Sequence, residues 1–434
     1  MKITHIHIER FRGFQNEDFE VGSLLTAIAG QNGTQKSTLL GIITQTFTLK
    51  TEDSMRVEKP LCGGSYISAF KDKFRLSPTF DKPKGHEWTI SFDAGMDDFT
   101  VESIKRTGDP NVRFWKKGAR QEGDGYISFP TIFLSLKRLV PVAEEAKIIT
   151  DDTLLTQEEL NEFKQLHNKI LIAQTPISSA TTITSKNKQS IGVSTELYDW
   201  NQNSMGQDNL GKIILALFSF KRLHDKYPRQ YKGGILAIDE MDATMYPASQ
   251  VELLKVLRKY ASKLNLQILF TTHSMSLLKA MDDLVQEVTK KEETANQAKI
   301  LYLKKVDDKI AIKQGVNFKG IQLDLNVVAE GNNRKKNRIT AYTEDKENIL
   351  FVKAILKSKA FVLDFVDVTL PCSTLMELVT KRVPAFIYPY SIVILDGDVR
   401  MNKNDLRKIN NADNILILPG NKSPERLLLS LIHI

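Results

Sequence analysis

The stretch IAGQNGTQKSTLL, residues 28–40, decides the fold. A short apolar run, LLTAIA, enters a loop with Gly30 and Gly33, and STLLGIITQTF continues from the loop as an apolar helix. Strand, loop and helix N-terminus in that order make an anion site, because backbone N–H groups and the positive end of the helix dipole point the same way. Lys36 is expected to reach the β and γ phosphates of a nucleotide and the Ser37 hydroxyl to ligate Mg²⁺, with Gly30, Asn32, Gly33 and Thr38 completing the cradle. Gln35 stands where the usual pattern has glycine. If that position needs a positive φ, a side chain there costs roughly 1 kcal/mol and crowds the phosphates, while the backbone donors survive.

Three later stretches bear on the loop. ILAIDE ends a buried strand in Asp239 and Glu240: the first is expected to hold Mg²⁺ through water or Ser37, the second to activate an attacking water. A plainer reading has both acids capping the next helix. ILFTTHS places His273 at the end of another buried strand, where an imidazole could contact the γ phosphate. NSMGQDNLGKIILALF sets Ser204, Gly206 and Gln207 ahead of a helix, a second cradle of hydroxyl, backbone and dipole.

The order of these elements, with the opening IERFRGF, resembles the ABC-type ATPases of the SMC and DNA-repair branch over about residues 1–325. The resemblance implies an α/β ATPase head, a mixed sheet lobe plus a helical insertion, that binds ATP and Mg²⁺. It also implies a homodimer or higher oligomer in which Ser204 and Gly206 act in trans on a second head. Met205 replaces the second glycine of that signature and, like Gln35, points to slow hydrolysis. The long coiled-coil arms of SMC proteins have no counterpart, since TQEELNEFKQLHNKILIAQ, residues 156–174, supplies one helix, capped by Thr156 with Glu159 three residues on. After it, SSATTITSKNKQS lacks an apolar face and reads as an exposed, flexible insertion within about 151–195.

The polar run EGNNRKKNR marks the best boundary, which gives an ATPase domain over 1–330, a basic linker over 331–338 and a second α/β domain over 339–434. Within RITAYTED, Glu344 ends a strand before a helix; within SIVILDGDVR, Asp396 and Asp398 end another. Strand ends in a parallel sheet face one crevice, and hard carboxylate oxygens suit Mg²⁺ or Mn²⁺ there. Acids and glycine after strands are also ordinary turn residues. The pattern resembles a TOPRIM domain, and ILILPGNKSPERLLL is similar to the segment that follows in the OLD family, which implies that Glu425 is a further metal ligand. Asp345 occupies the glycine position of the TOPRIM pattern and Asn348 a position where an acid often follows. An ABC-type head followed by TOPRIM is the arrangement of OLD-like endonucleases, many of them antiphage. The implied protein is an ATP-regulated, metal-dependent DNA endonuclease with Glu240, Glu344, Asp396 and Asp398 in catalysis. The alternative is an ATP-switched sensor or scaffold of a defence or repair complex. Because LLLSLIHI follows so soon after Glu425, the TOPRIM-like domain is expected to be incomplete.

Composition agrees with this class without proving it. The 434 residues carry a formal charge of +8, which favours a polyanionic partner such as DNA, and Arg334, Lys335, Lys336 and Arg338 concentrate it. No apolar run is long enough to span a bilayer and the start MKITHIHIERF lacks the core of a signal peptide, so a cytoplasmic protein without membrane partners is expected. Cys62 and Cys372 lack metal-ligand spacing and read as buried thiols.

Overall fold

The computed structural model describes residues 1–66, 70–93, 95–105, 112–119, 124–139, 148–151, 154–185, 189–329, 339–387, 391–410 and 412–432. The chain divides into two compact units, Met1–Leu325 and Asn326–Ile434. The basic cluster Arg334, Lys335, Lys336 and Arg338 lies outside the described residues.

The first unit is built on two sheets. One is five-stranded and antiparallel, in which Ile3–Phe11 pairs with the edge strand Phe14–Glu20 on one side and the central strand Glu87–Phe92 on the other. The other has six strands in the order Lys309–Gln314, Ala298–Val306, Leu25–Gly30, Leu266–Thr272, Gly234–Ile238, Thr131–Leu134. All neighbours in this second sheet are parallel except the edge hairpin Ala298–Val306 with Lys309–Gln314. Strands Leu25–Gly30, Gly234–Ile238 and Leu266–Thr272 are buried along their whole length, as expected of parallel strands covered on both faces, and this is why they read as unbroken apolar runs.

One sequence expectation is corrected. The described residues of SSATTITSKNKQS are not a loop: Ser179–Thr184 and Gln189–Ser194 pair antiparallel and, with Ile149–Asp151, form a three-stranded sheet. Ile183, Ile191 and Val193 are buried, and the β-branched threonines between them fit a half-buried pleated surface although their hydropathy looks loop-like. Gly211 on helix Met205–Lys226 permits the approach, since a Cβ there would lie 3.0 Å from the Ile191 carbonyl oxygen. The capped helix preceding this sheet spans Gln157–Leu171, and Thr156 and Glu159 form the reciprocal capping box.

The second unit is a parallel four-stranded sheet in the order Leu363–Phe365, Ile339–Thr343, Ser391–Leu395, Ile415–Ile417. Small apolar clusters around Leu375, Val393 and Leu395, and around Ala341 and Ile394, hold it. Among the described residues no helix is long and apolar enough to cross a membrane.

Candidate nucleotide and metal sites

Four neighbouring parallel strands of the six-stranded sheet deliver their C-terminal ends to one edge, and the residues that follow them are Gln31–Ser37, Asp239–Glu240, His273 and Ser135–Arg138. Helix Lys36–Thr44 has no acidic residue of its own in its first turn, so the charge that meets its positive end comes from elsewhere. Gln35 precedes it at φ 61°, ψ 33°, the left-handed conformation that glycine normally supplies. The loop therefore keeps the backbone course of the glycine pattern. The Gln35 side chain is turned to Gly13, where an added Cβ would meet its Nε2 at 2.9 Å, and its Oε1 is buried without a hydrogen-bond partner.

Lys36 is 6% exposed and its Nζ donates to the carbonyl oxygens of Gly30 at 3.2 Å and Gln31 at 3.1 Å. Burial draws its pKa down, opposed by Glu240, Asp239 and Asp242. The ammonium is thus lightly hydrated and held by two carbonyls that phosphate oxygens can replace. Ser37 Oγ donates to Asp239 Oδ1 at 2.8 Å, and the same oxygen accepts from Thr271 Oγ1 at 2.8 Å. Serine and aspartate from elements 202 residues apart thereby form a pair of hard oxygens suited to Mg²⁺.

Glu240 is not a helix cap. Its backbone is left-handed at φ 53°, and its N–H donates to Thr271 Oγ1 at 2.6 Å. Its carboxylate lies 3.5 Å from His273 Nε2. That contact, helped by Lys36 and opposed by burial, holds the carboxyl below the usual range, so it is anionic at neutral pH. His273 donates its backbone N–H to Asp242 Oδ1 at 3.4 Å.

Ser204 caps helix Met205–Lys226: Gln207 N–H donates to its Oγ at 3.3 Å, and Ser204 N–H donates back to Gln207 Oε1 at 2.8 Å. Gly206 abuts the loop beyond Glu240, since a Cβ there would lie 2.6 Å from the Thr244 carbonyl oxygen. Ser204 is exposed, and among the described residues no hydrogen bond joins it to the Gly30–Ser37 loop of its own chain. Two residues escaped the sequence reading. Thr271 links Asp239 to Glu240, and Arg138, 2% exposed, donates from Nη2 to the Glu240 carbonyl at 2.7 Å and from Nε to Asn209 Oδ1 at 2.7 Å. An arginine closing the apolar run FPTIFLSL at the same sheet edge was the available signal for the second.

Residues 135–278 match the family model of an AAA ATPase domain. The match takes in Arg138, Ser204, Asp239, Glu240 and His273, and supports ATPase chemistry with ATP and Mg²⁺. It covers less than half of the chain. Similar solved structures include the SMC head domain from Thermotoga maritima, at 14% identity and a TM-score of 0.40, covering 73% of this chain and 100% of that one. An SMC head bound to the C-terminal winged-helix domain of ScpA is similar at 13% identity and a TM-score of 0.43, covering 74% of this chain and 100% of that one. The recombination mediator RecF is similar at 12% identity and a TM-score of 0.37, covering 72% and 98% respectively. Likenesses this distant carry no argument about function. No curated protein matches the sequence.

In the second unit, Glu344 and Asp396 follow adjacent parallel strands, and Asp396 N–H donates to Glu344 Oε1 at 2.8 Å. Asp396 is 8% exposed, and its Oδ1 is buried without a hydrogen-bond partner. Burial, then the Glu344 charge, pushes Asp396 up to about 7 against the opposing effect of the Asn348 amide beside it; burial also raises Glu344, with Asp398 and Asp345 adding to the effect. An orphaned carboxylate oxygen beside like charges fits a divalent cation, because hard oxygens and mutual repulsion are what such an ion relieves. Asp398 is exposed on the turn Gly397–Met401. The Glu425 carboxylate gathers with those of Asp345 and Glu347, ligand atoms all within 4.8 Å of one another. Asp345 caps helix Lys346–Leu356 by accepting from Asn348 N–H at 2.9 Å, which sets Glu347 in the first turn. Glu425 lies in the first turn of helix Pro424–Ile432.

Proposed function

We propose that this protein is an ATP-regulated, divalent-metal-dependent DNA endonuclease of the OLD type, acting in antiphage defence in the cytoplasm. In this reading ATP occupies the Gly30–Thr38 loop and two or more heads pair through Ser204 and Gly206. A further protein of the defence system is a candidate partner. Lys36 exchanges its loop carbonyls for phosphate oxygens, Ser37 and Asp239 would hold Mg²⁺, and Glu240, kept anionic by His273, takes the proton of the attacking water. In the second unit Glu344, Asp396 and Asp398 would hold Mg²⁺ or Mn²⁺, with the Asp345, Glu347 and Glu425 group as a further ligand set. A divalent ion there supplies the Lewis acidity that phosphodiester cleavage needs. Glu344, raised by its surroundings, is a carboxylate placed to exchange a proton at that edge.

The observation that carries the nuclease half is Asp396, buried with an unpartnered oxygen at the end of a strand whose neighbour ends in Glu344. Plasmid nicking by purified protein with Mg²⁺ or Mn²⁺ tests it, and undiminished nicking by Asp396→Ala/Asp398→Ala overturns it. The second reading, an ATP-switched sensor or scaffold with an inactive TOPRIM-like unit, is favoured by Gln35 and Met205, which weaken both halves of an ATP site. It predicts no nicking with either metal and an ATP-dependent size-exclusion shift that Lys36→Ala abolishes.

A further inference from the structure

Arg138 is a guanidinium at 2% exposure with every nitrogen engaged. It lies on the turn Leu136–Leu139, just past strand Thr131–Leu134. Its Nη1 donates to the carbonyls of Ser135 at 3.1 Å and Leu134 at 3.3 Å, which anchors it to its own strand end. The other two nitrogens reach out. Nη2 donates to the Glu240 carbonyl at 2.7 Å, and Nε donates to Asn209 Oδ1 at 2.7 Å. Asn209, fully buried on helix Met205–Lys226, passes the link on through its Nδ2 to the Ala243 carbonyl at 3.0 Å.

These contacts enclose a strained segment. Glu240 and Thr244 are both left-handed, at φ 53° and 68°, a conformation L-residues hold only when the surroundings over-determine it. Glu240 is pinned on both sides, its N–H on Thr271 and its carbonyl on Arg138, so the Cα–Cβ direction from which its carboxylate reaches toward His273 is set by its main chain. Arg138 touches no reacting atom, and the whole arrangement could be served by a neutral core if only stability were at stake.

We propose that Arg138 is a positioning residue for hydrolysis: it holds the Glu240 backbone in its left-handed turn and, through Asn209, ties that turn to the helix whose N-terminus carries Ser204. The proposal rests on Glu240 being the base for ATP hydrolysis. Lysine at 138 keeps the charge but has a single nitrogen and cannot bridge Glu240, Asn209 and the strand end together.

The test is steady-state ATP hydrolysis by the full chain, beside binding of a fluorescent ATP analogue, for Arg138→Lys, Asn209→Ala, their double variant and Glu240→Gln. Misplacing a catalytic group by about 1 Å can lower turnover by about 10²-fold. Arg138→Lys is expected to lose about 10–10²-fold in kcat with KM and analogue affinity within about 2-fold. Asn209→Ala is expected to lose less, and the double variant to fall no further than Arg138→Lys, the mark of one network. Wild-type kcat in Arg138→Lys while Glu240→Gln is inactive overturns the proposal, as do multiplicative losses in the double variant or a parallel loss of affinity. Wild-type turnover in Glu240→Gln instead overturns the reading of Glu240 itself. If circular dichroism shows Arg138→Lys unfolded, Asn209→Ala decides alone, a lowered kcat at unchanged KM supporting the proposal and an unchanged kcat overturning it.

Discussion

Replacing Gln35 by glycine and, separately, by alanine isolates the strain in the nucleotide loop. Both substitutions remove the amide that rests on Gly13 and both release the buried, unpartnered Oε1, so they differ only in how well they tolerate φ 61°. A left-handed backbone disfavours an L-residue by roughly 1–2 kcal/mol. Glycine's greater freedom in the unfolded chain returns roughly 0.4–1 kcal/mol of that. Gln35→Gly should therefore exceed Gln35→Ala by about 0.5–1 kcal/mol, or roughly 1–2 °C in midpoint for a unit of this size. Thermal melts by circular dichroism measure the difference. Repeating them with ATP and Mg²⁺ should raise the midpoint of both variants, because the donors to phosphate are backbone N–H groups that neither change alters. An alanine variant as stable as the glycine one would refute the argument, since the left-handed backbone would then cost no more than the roughly 0.4–1 kcal/mol that glycine's unfolded-state freedom offsets.

Three further outcomes follow from the geometry. Thr271→Val leaves the Glu240 N–H without its acceptor and frees Asp239 Oδ1 from one donor; a loss of about 1–3 kcal/mol in urea unfolding, together with slower ATP turnover, is expected. Gly206→Ala forces a Cβ to within 2.6 Å of the Thr244 carbonyl and should destabilise by about 1 kcal/mol even after the gain in helix propensity; an unchanged melting point would show that this contact gives way freely. In the second unit Asp396 keeps, up to about pH 7, a proton that the unfolded chain loses near roughly pH 4, so its folded pKa is the higher one and the stability it contributes is lost as pH rises across that window. The melting point of this unit should accordingly fall between pH 5 and pH 7.5, Asp396→Asn should flatten the fall, and Mn²⁺ should oppose it; a flat profile in the wild type would contradict the burial argument.

The nucleotide loop was legible because its chemistry is local: strand, glycines, lysine and serine lie within residues 28–40, and the left-handed turn at Gln35 is what the pattern demands of whatever residue stands there. The buried strands ending in Asp239 and His273 were legible for a related reason, as continuous apolar runs that stop abruptly in polar residues. Arg138 was not, since its partners Asn209 and Glu240 lie 71 and 102 residues away and its place just after the apolar run FPTIFLSL is its one local mark. The strand Ser179–Thr184 was misread because threonine scores as polar while its branched Cβ favours the sheet. That Glu425 lies beside Asp345 and Glu347 was not legible, because two helix N-termini far apart in the chain bring them together.

Strand Leu25–Gly30, which launches the phosphate loop, takes its two hydrogen-bonding neighbours from Leu266–Thr272 and Ala298–Val306. During synthesis at roughly 5–20 residues per second, the loop that emerges first must wait about 15 s to a minute for both partners to leave the ribosome. Contacts this distant in sequence are slow to close even once the chain is free. The apolar run LLTAIA is thus exposed longer than any other segment of that sheet, and chaperone dependence in the cell should track this interval more closely than the stability of the finished head.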